Sequence, residues 1–395
     1  MKRVPYSVVA ALLIAVAVTS GVIAVTGLPV PRAAVAWAAA AASRYEGFGT
    51  TTGGGAGRPR YRVTTLADSG PGSLRDALSL GQRHVVFDVA GDIRLTRPLS
   101  VQGSFVTIDG ESAPPPGITL RDHGLLVHLH AAYNWPGGAH DVIVRGIRVR
   151  DAAATRSTDC IGIGHGAYNI VVDHVSAHGC ADGTVDVTTD AHDVTISWSV
   201  LAEPLSGHTM LIAYDAFRVT LHHNLFTGRG RNPSVRGRRD AVGRHPTLDM
   251  RNNLVWGWGG GYGTLLRGAT ANVVANLYGN PEGARSDQRQ ALLACTTDGP
   301  SRTEALCRDA DRHGPIHVHT QGNVSVDGVD LDAAGNRPEP FPVAAVDTTG
   351  ACEAAHTIVS SAGVHPRDAV DRRLTAISLP PCQAAAGSSP GTPSR

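Results

Sequence analysis

The chain has 395 residues, 46 of them Gly, with 5% aromatic and 17% charged residues, enough for one large domain or two ordinary ones. A net charge of +1 excludes whole-surface attraction to nucleic acid or to an anionic membrane, so an acidic partner would need a local basic patch. Abundant Gly, with Val, Ile, Thr and Asn in short runs, points to β structure rich in turns.

The first element is an export segment. Met1, Lys2 and Arg3 form a basic start, 8–28 is an almost uncharged apolar stretch, and Ala34-Val35-Ala36 offers an A-x-A cleavage site. Residues 1–44 therefore read as a signal peptide with linker, on a secreted protein. The apolar stretch exceeds the ~7–15 residues usual for a signal core, so an uncleaved membrane anchor is the alternative. Strand-like runs follow: YRVTTL (61–66), HVVFDV (84–89), SFVTIDG (104–110), GITLRDHGLLVHL (117–129) and DVIVRGIRVR (141–150). None leads into the ~10–15 residues of helical pattern that a βαβ unit needs.

An extended phrase then repeats as NIVVDHVSA (169–177), DVTISWSVLA (193–202) and RVTLHHNLFTG (218–228). Anchored on Val175, Val200 and Leu225, its period is 25 and again 25; LDMRNNLVWGW (248–258) and NVVANLYGN (272–280) continue it at 29 and 23. Each unit has too little apolar surface for a core of its own, so the units must stack. Coils of this length predict an all-β, right-handed, single-stranded parallel β-helix with loop excursions; a propeller needs about 40–45 residues per repeat. Alternation turns Val194 and Ile196 one way and Thr195 and Ser197 the other. Asn224, Asn253 and Asn276, each before its anchor, are expected to stack as an inward amide ladder. The β-helix domain is placed at 45–384 and a disordered polar tail at 385–395.

Six cysteines suit an exported chain, and fifteen pairings are possible. Cys160 and Cys180 lie about one coil apart, and Cys295–Cys307 and Cys352–Cys382 are the simplest completion. No close Cys pair or finger-spaced His supports zinc.

VVDHVSAHG, DGTVDVTT, DVTISWSVL, HTMLIA, RVTLHHNLF and RNPSVRG, in this order, resemble the pectate lyase branch of the pectate/pectin lyase superfamily; the resemblance covers about 45–281. EGFGTTTGGG and VTTLADSGPGSLRDAL resemble the opening of its bacterial members. The resemblance implies β-elimination of polygalacturonate with Ca²⁺, an acidic polysaccharide as partner, and a monomer.

It also implies site residues. Asp182 and Asp186 match the family's acidic pair and Asp159 its upstream calcium ligand, oxygen donors suited to a hard cation. Residues four apart on a straight strand stand about 13 Å apart, so the chain must bend between Asp182 and Asp186, and Gly183 would ease the bend. Arg231 occupies the position of the family's arginine base, and Arg236 that of a second, substrate-binding arginine. A strongly basic group suits a weakly acidic C–H once a cation stabilises the developing charge. The chain departs from the pattern twice: His208 stands where the family has a substrate-binding lysine, and Ser234 where it has a middle arginine. Arg229, Arg238 and Arg239 are candidates to compensate, and the preferred polymer is put in doubt. Without the resemblance, acidic residues at turns and arginines on a solvated face are the plain reading. His174 and the pair His222-His223 read as stacked side chains in preference to metal ligands. The competing functions are a polygalacturonase-type hydrolase, with the same carboxylates as acid and base, and a non-catalytic carbohydrate binder on this scaffold.

Overall fold

A computed structural model describes residues 45–128, 138–153, 158–238, 245–259, 262–280, 291–296, 305–326 and 328–381. The export segment, the tail, Arg239 and Cys382 lie outside the described residues.

Each coil of the repeat makes three short strands, because its apolar residues alternate in three runs separated by tight corners. One coil supplies Ile161–Ile163, Tyr168–Asp173 and Ser176–His178; the next Val185–Val187, His192–Ser197 and Val200–Ala202; the third Leu211–Ala213, Phe217–His222 and Leu225–Thr227. Equivalent strands pair in parallel, building sheets of eight, ten and nine strands. This is the right-handed parallel β-helix expected from the repeat. Val194 and Ile196 point into its core, which runs unbroken from Val63 to Val318. Coil strands continue past residue 281, as Leu292–Cys295, His317–Gln321 and Val324–Ser325.

The register corrects the first repeat distance. Val200 pairs with Ser176, and Val175 stands one place earlier, opposite Ser199, 24 residues on. The apolar anchor misled because Val175 fills the corner position that asparagines fill further along. At that corner a single residue turns the chain with positive φ: His174 (48°), Trp198 (48°), His223 (55°), Asn252 (50°) and Ala275 (52°). The residue after it points inward. Asn224, Asn253 and Asn276 form the expected ladder there, each backbone N–H and side-chain amide donating to the next Oδ1 at 2.9–3.1 Å. Asn323, which the repeat did not flag, is its last rung.

The outer faces of two sheets are covered. Thr195 faces outward as alternation requires yet is fully buried, because Phe48–Thr51 crosses the ten-stranded sheet: Phe48 N–H donates to Thr220 Oγ1 (3.0 Å) and Gly49 N–H to Thr195 Oγ1 (2.9 Å). The helices Ala351–Ser361 and Ala369–Leu374 pack on the nine-stranded sheet against Val200, Leu225, Leu254 and Leu277. Cys160–Cys180 and Cys295–Cys307 are disulfides, as expected, and Cys352 is disulfide-bonded. Among the described residues, no helix is long and apolar enough to cross a membrane.

Candidate active site

The charged residues singled out from the sequence come together on the outer face of the eight-stranded sheet. Asp159 leads into Ile161–Ile163, Asp182 lies in the loop before Val185–Val187, and Asp186 is the middle residue of that strand, opposite Gly162. Gly183 draws the first and last together. Its N–H donates to Asp159 Oδ1 at 2.7 Å, and a Cβ placed on it would meet Asp186 Oδ1 at 2.5 Å and Asp159 Oδ1 at 3.0 Å. The expected reason for this glycine, an easy bend, is therefore secondary: its φ is not positive, and what it provides is room for two carboxylates.

Asp186 accepts a hydrogen bond from Leu211 N–H (2.9 Å). Asp182 is tied at both sides by its backbone: its N–H donates to Thr158 O (3.1 Å), and Ser206 Oγ donates to its carbonyl (2.9 Å). The Cys160–Cys180 disulfide starts one residue after Asp159 and ends two before Asp182, so it braces both. Burial pushes the Asp159 carboxyl up to about 6, with Asp182 adding repulsion. Burial, then the charges of Asp159 and Asp182, raise Asp186 well above the carboxylate range, against a smaller pull from Arg231. Among the described residues none of the three forms an ion pair within 4 Å, and their oxygens do not all lie within 4.8 Å of one another. Three close, unpaired, repelling carboxylates have the donor chemistry for a hard divalent cation.

Three arginines follow on the same sheet, and Arg231 is close enough for its charge to act on Asp186. Arg231 takes a left-handed backbone (φ 56°) just before Ser234–Arg236, its carbonyl accepting from Met210 N–H at 2.8 Å. Arg236 ends that strand, flanked by Ala213 on one neighbouring strand and Arg267 on the other. Arg267 was missed from the sequence. The signal was present as a repeated phrase, VRG (235–237) and LRG (266–268), which the register superimposes. The Nε atoms of Arg236 and Arg267 are buried without a hydrogen-bond partner. Burial and then the charge of Arg236 lower the Arg267 pKa, and its counter-charge, Asp309, is 3.6 Å away. Two guanidinia held side by side in this way are prepared for anionic oxygens.

His208 lies in the same face, bridged to Gly230. With Ser206, Gly207, Arg229, Gly230 and Tyr262 it lines a cleft of about 240 Å³. Burial, then Arg231, lowers its pKa. Of the residues expected to compensate for the missing lysine, Arg229 lines this cleft, whereas Arg238 is drawn off to Asp215 (3.1 Å). Ser234 is fully buried, its Oγ without a partner. Two of the three histidines stack as anticipated: His174, Trp198 and His223 run along the corner with centroids 6.1 and 4.2 Å apart, whereas His222 meets His223 edge-on at 90°.

No family model matches the chain. It is 33% identical over 339 residues to a probable pectate lyase C from Aspergillus flavus, covering 84% of this chain and 75% of the relative. A probable pectate lyase C from Neosartorya fischeri is 37% identical over 240 residues, 60% of this chain; the chain spans about half (52%) of that relative. The fold is similar to that of Jun a 1, the major allergen of cedar pollen (TM-score 0.61, 20% identity, 82% of this chain and 93% of that one). It is also similar to a pectate lyase from Bacillus sp. N165 in complex with trigalacturonate (TM-score 0.53, 14% identity, 81% and 98%). With the coils, the acidic group and the arginine row in the order of the motifs, the chain belongs to the pectate lyase family of polysaccharide lyases.

Proposed function

We propose that this chain is an exported, Ca²⁺-dependent lyase that cleaves polygalacturonate, or a related uronate polymer, by β-elimination. The observation that carries the reading is the segregation of charge: Asp159, Asp182 and Asp186 on one side, Arg231, Arg236 and Arg267 on the other, without ion pairs between them. Calcium, held by the three aspartates, would supply polarisation of the uronate carboxylate and so acidify the adjacent C–H. Arg236 and Arg267 grip substrate carboxylates. Arg231, as the neutral guanidine, takes the proton from C5, the C5–H electrons form the C4–C5 double bond, and the C4–O bond breaks, the leaving alkoxide taking a proton from water. The disulfides support an oxidising compartment, in line with export.

The test is ultraviolet absorbance of the unsaturated product on polygalacturonate, with and without chelator. Absorbance that grows, stops on chelation and returns with Ca²⁺ more than with Mg²⁺ is the expected result. Cleavage without new absorbance would establish hydrolysis instead. Full activity in excess chelator would refute the calcium assignment.

A further inference from the structure

The eight-stranded sheet that carries the site is treated differently at its two ends. Before Asp186, its outward row holds Ser100, Leu126 and Gly162, and all three keep part of their surface in solvent. Past Arg236 the same row continues as Leu265 and Leu293, which are 1% and 7% exposed although they point away from the coil core.

What covers them is a segment of this chain. Leu265, Leu293 and Cys295 pack with Cys307 and Ala310, from the turns Ala305–Cys307 and Ala310–Arg312, and the Cys295–Cys307 disulfide ties the segment to the sheet. It crosses the full width of the sheet. Where the strand Thr264–Arg267 begins, Tyr262 and Leu306 join the apolar contact. Where that strand ends, His313 Nδ1 donates to Gly237 O at 2.9 Å. A Cβ on Gly268 would meet His313 O at 1.8 Å, and one on Gly237 would meet it at 2.8 Å, so glycine at both corners lets the segment lie against the coil.

We infer that residues 306–313 are the end wall of the substrate groove, so that a polymer entering from the Asp186 side stops there and is cut into short products from a chain end. This rests on the polymer-cleaving reading above. Successive coils are about 4.8 Å apart, close to the length of one sugar ring in an extended chain. Beyond Arg231 only the coil positions of Arg236 and Arg267 precede the wall, which leaves room for a short run of sugars on that side of the broken bond. Charge acts in the same direction. Asp309 stands on the wall 3.6 Å from Arg267, so a uronate reaching past that guanidinium would meet a like charge. Asp309 is itself fixed there by His313 Nε2 at 3.2 Å.

The test follows viscosity and product size together on polygalacturonate, with cuts counted as new reducing ends, which lyase and hydrolase both create. The expected result is slow loss of viscosity per cut, with oligosaccharides of one narrow, short size from the earliest times. Replacing both wall cysteines (Cys295→Ser with Cys307→Ser) removes the tether, and His313→Ala releases the far edge. Each should lose viscosity several-fold faster per cut and give a broad ladder of early products. His313→Ala keeps the disulfide, so it decides the matter if the double serine variant does not fold. A random ladder with rapid viscosity loss in the unmodified chain, or unchanged product sizes in every folded variant, would overturn the wall. New reducing ends without ultraviolet absorbance would refute the lyase reading alone, with the wall still judged on product size. No cleavage of any uronate polymer would overturn both.

Discussion

Two regions of this molecule bury arginines and aspartates together, and they treat the charges in opposite ways. Under the C-terminal helices, Arg148 and Arg150 project from the nine-stranded sheet and are almost fully buried, and so is Asp371 above them. Arg148 Nε bonds Asp371 Oδ2 (2.8 Å) and its NH1 bonds Pro116 O (2.9 Å); Arg150 bonds Ser176 O (2.8 Å) and the other Asp371 oxygen. At the candidate active site the same residue types stand apart by sign, with raised carboxyl groups and, among the described residues, no ion pair between the three aspartates and Arg231, Arg236 or Arg267. Paired burial fastens the C-terminal segment to the coil. Unpaired burial leaves charge for a ligand to complete.

The largest expected effect breaks the paired side. Asp371→Ala leaves two buried guanidinia with the more distant Asp368 (3.4 and 3.5 Å) as their shared carboxylate, which should lower stability by about 3 kcal/mol in denaturant melts. Residual folded enzyme should keep its calcium requirement, whereas a change in calcium affinity would join the two regions functionally.

On the unpaired side, Arg231→Lys should leave the melting temperature nearly unchanged and reduce kcat by about 100- to 10,000-fold, the usual size of a general-base contribution. KM should move less, because Arg236, Arg267 and calcium share the binding. Near wild-type turnover would place the proton elsewhere.

The smallest effect concerns His208, whose lowered pKa leaves it neutral at alkaline pH. His208→Lys restores a fixed charge and should lower KM for unesterified polygalacturonate at pH 9 by about two- to fivefold, less at high salt, with little gain on esterified polymer. Michaelis constants unchanged on both polymers would remove His208 from the substrate subsites.

The coil architecture was legible because alternation and corner residues recur at nearly fixed spacing, and a ladder asparagine announces itself in three of the five phrases. The candidate site was legible as a grouping because its motifs are local: Asp182 to Asp186 and Arg231 to Arg236 each fit within one coil. Arg267 escaped because it belongs to the next coil, where a longer sequence spacing hides the match of VRG to LRG. The C-terminal clamp escaped for a stronger reason. Arg148 and Arg150 alternate like outward residues in IRVR, and their partner Asp371 lies 223 and 221 residues away in a segment without periodicity. Gly183 was seen but misjudged, since steric room is a property of the neighbours it faces.

Thermal melting with and without Ca²⁺, at pH 5 and pH 8, tests most directly whether the cleft carboxylates are kept unpaired for a cation. Raised folded-state pKa values mean that, without calcium, both carboxyls favour the fold at low pH; Asp159 loses that contribution as pH rises through about 6, and Asp186, raised in the same direction, loses its own as it ionises. Calcium binds their ionised forms, so it should raise the melting temperature clearly at pH 8, weakly at pH 5, and hardly at all in Asp186→Asn. Equal calcium stabilisation at both pH values, or an undiminished shift in Asp186→Asn, would contradict the account.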